Sequence, residues 1–88
     1  MVAPVKVGRA RKKALDILWR LGPVRPIEFA KEMWPRARAW GRPHIMNWSA
    51  RCYLARLVEA KLVSETEFGF MLNVKGLDLH DELSPLDP

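Results

Sequence analysis

Arg36, Arg38 and Arg42 fall within the stretch WPRARAWGRPHIMNW, residues 34–48, which carries three tryptophans, three arginines and no acid. A guanidinium is a rigid fork of donors that meets phosphate oxygens through paired hydrogen bonds, so arginines gathered in a segment free of carboxylates suit a polyanion backbone. Directly after them come Asn47, Trp48, Ser49 and Arg51. Asn can bond adenine through both groups of its amide, Arg can do the same with guanine, and Ser49 could assist at phosphate or base. The plainer alternatives are a solvated loop for the arginines, a helix cap for Asn47 and ordinary surface for Arg51.

Charge along the chain is unevenly placed. Residues 1–61 hold 14 Lys and Arg against Asp16, Glu28, Glu32 and Glu59, whereas residues 62–88 hold Lys75 against six acids. Such asymmetry points the basic part toward a polyanion, although basic helical faces also serve solubility. Arg9, Arg11, Lys12 and Lys13 near the start add to the cations expected to hold a nucleic-acid backbone.

Catalytic chemistry finds little support. His44, Cys52 and His80 lack the close pairing of a zinc site, and no nucleophile elbow or phosphate-cradling glycine loop is present. Asp78, Asp81 and Glu82 lack metal-loop spacing and read as a solvated helix face. The expectation is a protein that is not an enzyme, with no catalytic residue, no metal site and no cofactor.

The elements that must position these residues follow from periodicity. The 88 residues allow one domain, which at this size buries only about 60 to 65% of its unfolded surface. With one cysteine, no signal peptide and no apolar run of roughly 20 residues, the chain is expected to be soluble, cytoplasmic and away from membranes. Residues 1–9 read as a flexible basic arm, 10–83 as the domain and 84–88 as a disordered tail.

Ala14, Ile17, Leu18 and Leu21 recur at helical spacing, and Gly22-Pro23 closes this first helix. A second helix starts at Pro26, carries Glu28 in its first turn, groups Ile27, Ala30, Met33 and Trp34 on one face and stops at Pro35. Residues 35–42 show no period and read as a loop. A third helix is expected over 44–60, burying Ile45 or Met46, Ala50, Tyr53, Leu54, Leu57 and the stem of Lys61, with Pro43 at its start or Asn47 as its cap. Asn47, Trp48, Arg51, Ala55 and Arg56 are left toward the other side.

Beyond Lys61 the period drops to two, and Gly69 between two β-prone runs argues a short hairpin. One or two helical turns capped by Asn73 follow, pairing Leu79 with Leu83. Trp19 and Trp34 are expected in the core; Trp40 and Trp48 lie off any apolar stripe and either pin the loop or stand exposed as partner anchors. Phe68 falls at the hairpin tip, where it folds back or meets a partner.

The order of helix, short helix, loop, long helix and hairpin resembles a winged helix-turn-helix, an α+β fold in which the third helix reads DNA and the hairpin is the wing. YLARLVEAKLVSE, residues 53–65, is similar to the end of such a recognition helix and the first wing strand. FMLNVKGLDLHDEL, residues 70–83, is similar to the second wing strand and the leucine, threonine, x, lysine, glycine turn of MarR-like and PadR-like bacterial regulators. Asn73 stands in place of the usual threonine, Lys61 in place of a frequent glycine, and Glu65 and Glu67 where a phosphate-binding wing offers Lys or Arg. FAKEMWP with YLARL also resembles small proteins of bacteria and their phages.

The resemblance implies a small bacterial, archaeal or viral transcription regulator that binds double-stranded DNA, with helix 44–60 in the major groove and loop 35–42 on the phosphates. Families of this kind often dimerise through an extended C-terminal helix, so a homodimer is a further option despite the short tail. The rival reading is an interaction module within a larger assembly, anchored on a protein partner by Trp40, Trp48 and Phe68; duplex RNA gripped by its backbone is a third.

Overall fold

The computed structural model describes residues 8–83. It is an α+β fold of four helices and a two-stranded antiparallel hairpin: α1 (Arg9–Leu21), α2 (Pro26–Met33), a 3₁₀ turn (Arg38–Gly41), α3 (Pro43–Glu59), β1 (Val63–Thr66), β2 (Gly69–Leu72) and α4 (Val74–Leu83). The expected tail 84–88 and the first seven residues of the expected arm lie outside the described residues. Arg9 does not belong to an arm, because α1 begins there with Gly8 as its N-cap.

α1 buries Ala14, Leu15, Ile17 and Leu18 and ends at Gly22, whose φ of +69° suits a residue without Cβ and whose N–H donates to the Leu18 carbonyl. Leu21, expected on the buried face, is exposed. Pro23 breaks the helix, and Val24 then pairs with Phe70 of β2 through two backbone hydrogen bonds of 2.9 and 2.8 Å. The α1–α2 connection is thereby fastened to the hairpin.

In α2, Pro26 takes the first position, where no N–H is needed, and the Glu28 carboxylate accepts the Arg25 N–H at 3.2 Å. Its C-terminus receives the Lys13 ammonium, which donates to the Met33 carbonyl at 3.0 Å. A cation at that end also meets the negative pole of the helix dipole.

α3 starts on Pro43, the first of the two expected starts, with Arg42 rather than Asn47 as N-cap. Met46, Ala50, Leu54 and Leu57 form its buried stripe; Tyr53 is half-buried. Lys61 does not join that stripe: it is exposed, with φ +66°. Its N–H donates to Val58 and the next N–H, of Leu62, to Leu57, both at 3.0 Å, which is the paired closure of a Schellman motif. Lysine here does the work usually given to glycine, and the break is sharp.

A two-residue loop, Glu67 and Phe68, joins β1 to β2, with Thr66 opposite Gly69. The Thr66 hydroxyl donates to the Gly69 carbonyl at 2.8 Å and accepts the Phe68 N–H at 3.1 Å. Gly69, at φ +127°, lies against the Val24 backbone, and a Cβ there would meet it at 2.6 Å. Phe70 and Leu72 face the core with Val63. α4 is longer than the expected turns, at 10 residues, and is capped as expected by the Asn73 side chain, which accepts the Gly76 N–H at 2.9 Å. Gly76 packs against the Leu62 carbonyl, a place with no room for a side chain.

One core of apolar residues from α1, α2, α3 and the hairpin surrounds Phe29, Leu15, Ile17, Leu18, Leu54 and Leu57. Trp19 is not part of it. The indole is 55% exposed and stacks on His80 of α4 with centroids 5.0 Å apart. His80 itself is buried, its Nε2 3.4 Å from a carboxylate oxygen of Asp16. Leu15 takes the inner place that the spacing assigned to Trp19, and the indole bridges α1 to α4 at the rim. Among the described residues no helix is long and apolar enough to cross a membrane.

Candidate nucleic-acid interface

The segment between α2 and α3 is ordered by its own tryptophan. Trp34 ends α2, and its carbonyl accepts both the Trp40 indole N–H at 2.7 Å and the Ala37 N–H at 3.2 Å. Half-buried Ala37, Ala39 and Trp40 pack against the core, leaving Arg36, Arg38 and Arg42 exposed beside them. The expected irregular loop therefore contains a 3₁₀ turn at Arg38–Gly41 and presents its arginines outward. Trp40 pins this turn through its indole N–H and is half-buried against the core.

Asn47, Trp48 and Arg51 fall within about 100° of arc on α3, as expected, but Ser49 does not share that face. At about 100° per residue, Asn47 and Ser49 sit about 160° apart around the axis. Both are half-buried, while Trp48 and Arg51 are exposed and the indole of Trp48 is 66% bare. On the hairpin side Arg51 lines a groove of about 440 Å³ with Ala55, Val58, Glu59, Glu65 and Phe70. On the α2 side Trp48 and Ser49 line a second groove of about 300 Å³ with Trp34, Cys52, Tyr53 and Arg56.

The two grooves differ in sign. Two glutamates stand with Arg51 in the first, whereas the residues of the second include a cation and no carboxylate. Tyr53 lines the second: burial raises its phenol above the ordinary value of 10.0, and the charges of Arg11 and Arg56 oppose that rise.

The α1 cations divide. Arg9, Arg11 and Lys12 are exposed, but the Lys13 ammonium is engaged with the end of α2. Arg56 was missing from the residues singled out as base or phosphate ligands. Its signal lay in the spacing Trp48, Cys52, Arg56, four residues apart, which makes a stripe along one helix face. At the hairpin tip Phe68 is 71% exposed beside Glu67. Among the described residues, no three His, Cys, Asp or Glu side chains gather as a metal site.

Compared with known protein families, curated proteins and solved structures, the chain matches none.

Proposed function

We propose that the chain is a winged-helix protein that binds double-stranded DNA as a small transcription regulator, with α3 in the major groove and the arginines of residues 35–42 on the phosphates. The observation that carries this reading is the joint exposure of Arg36, Arg38 and Arg42 at the start of α3 and of Trp48 and Arg51 on its outward side. A helix fits the major groove, and cations beside its N-terminal end lie where the flanking phosphates run. Exposed Arg9, Arg11 and Lys12 extend the basic surface. Glu65 and Glu67 disfavour phosphate, so the hairpin stands off the backbone in this reading and helix and loop make the contacts.

The test is binding to a mixed-sequence duplex by fluorescence anisotropy from about 50 to 200 mM salt. Affinity falls steeply with salt, and replacing Arg36, Arg38 and Arg42 by Ala flattens the log-log slope by about 0.9 for each arginine that engages phosphate. Unchanged duplex affinity of the triple variant at low salt removes the reading.

The exposure of Trp48 and Phe68 favours a second reading, a protein-interaction module anchored on those two side chains. Absence of duplex binding at the lowest salt, with a stoichiometric protein captured from nuclease-treated lysate, would replace the first reading by this one.

A further inference from the structure

The groove between α3 and the end of α2 has a built floor. Trp34 and Tyr53 meet edge to face with centroids 6.0 Å apart, and both rings contact fully buried Phe29, at 6.2 and 6.0 Å. Two of the groove's rings are thus held by a third that cannot move without opening the core. Beside them Trp48 leaves most of its indole bare. A bare aromatic face beside such a floor is a stacking platform, and every nucleobase has a face to stack on it.

The rim supplies charge of one sign. Arg56 lines the groove, and the Ser49 hydroxyl adds a donor. No carboxylate is among the described residues lining it, in contrast to the hairpin-side groove with Glu59 and Glu65. The complementary occupant carries a flat apolar face and a negative charge within a few ångströms of each other. A paired duplex offers the charge but keeps its base faces stacked inside. An unpaired nucleotide offers both.

We propose that this groove receives an unpaired nucleotide of a DNA strand, its base against Trp48 and its phosphate on Arg56. The proposal rests on the DNA-binding reading and specifies it: the preferred target has a single-stranded overhang or an unpaired base beside the duplex.

The test compares one duplex in two forms, blunt and with a short thymidine overhang, by anisotropy at fixed low salt. The overhang form binds about tenfold more tightly, the scale of one base stacked on an aromatic side chain, and quenches indole fluorescence. Trp48→Ala and Arg56→Ala each bring the overhang-to-blunt ratio toward one, whatever they do to the blunt duplex, and Trp48→Phe retains most of the preference. Circular dichroism confirms that the variants remain folded. Equal affinity of the unaltered protein for the two forms overturns this proposal and leaves duplex binding standing. A preference that survives both Trp48→Ala and Arg56→Ala overturns it as well, since the unpaired strand then sits elsewhere. Binding of the overhang form with none of the blunt duplex supports the groove and overturns the duplex reading, and binding of neither overturns both.

Discussion

Asn73 and Lys61 are joined across the hairpin by a hydrogen bond of 2.7 Å, from the Asn73 side-chain amide to the Lys61 carbonyl. The same side chain accepts the Gly76 N–H through its oxygen at 2.9 Å, and its backbone N–H reaches Leu62 at 3.1 Å. One residue thus closes the end of α3 and opens α4. Asn73→Ala removes the cap and the cross-link together and costs about 1 to 2 kcal/mol in urea unfolding. Asn73→Thr keeps a capping oxygen but no amide donor, so its loss is smaller. Equal stability of all three proteins would show that neither bond matters.

Lys61 sits in the left-handed region at φ +66°. A side chain there costs roughly 1 to 2 kcal/mol relative to the right-handed helix, a strain glycine escapes at the expense of some unfolded-state entropy. The motif's hydrogen bonds are all backbone, so Lys61→Gly keeps them. The variant is expected to gain about 0.5 to 1 kcal/mol, seen as a higher urea midpoint at unchanged slope. A lower midpoint would mean that the Lys61 stem contributes packing after all.

Tyr53 is the single tyrosine of the chain, so its ionisation can be followed directly by ultraviolet absorbance. Burial favours the neutral phenol and raises the folded-state value above 10.0, while Arg11 and Arg56 pull it back. The unfolded chain therefore ionises first, and the stability owed to the neutral phenol is present below pH 10 and lost as pH rises through the folded value. A midpoint above 10 is expected in the folded protein, rising further in Arg56→Ala because an opposing charge has gone. A midpoint at or below 10 would place the phenol in open solvent and loosen the floor of the groove.

Helix boundaries were legible because their signals are local: Gly22-Pro23, Pro26, Pro35 and Pro43 each act within a turn of themselves, and the elements stop and start beside them. The cap by Asn73 was legible for the same reason. Trp19 was not, because period alone cannot separate Leu15 from Trp19 on neighbouring parts of one face; α4 decides the matter by bringing His80 against the indole. The Val24–Phe70 pairing is likewise a long-range event with no local trace. In the candidate site, the outward arginines followed from composition, but the division of α3 into an acid-bearing and an acid-free flank depends on where the hairpin and α2 stand.

Trp40 links loop order to the arginines beside it. Its indole N–H and the Ala37 N–H share the Trp34 carbonyl, and the ring packs on the core, so the 3₁₀ turn is held at one end by a side chain and at the other by α3. Trp40→Phe keeps an aromatic ring but has no N–H to donate. The loss is expected to be about 1 kcal/mol of stability, within the range for one hydrogen bond. Because Arg38 and Arg42 flank the ring, loosening it raises the ordering cost of any phosphate contact they make. Duplex affinity should therefore fall severalfold while the salt slope holds, since the number of cations is unchanged. A fall in slope with Trp40→Phe would instead mean that an arginine has left the phosphates, and unchanged affinity would detach the turn from DNA binding altogether.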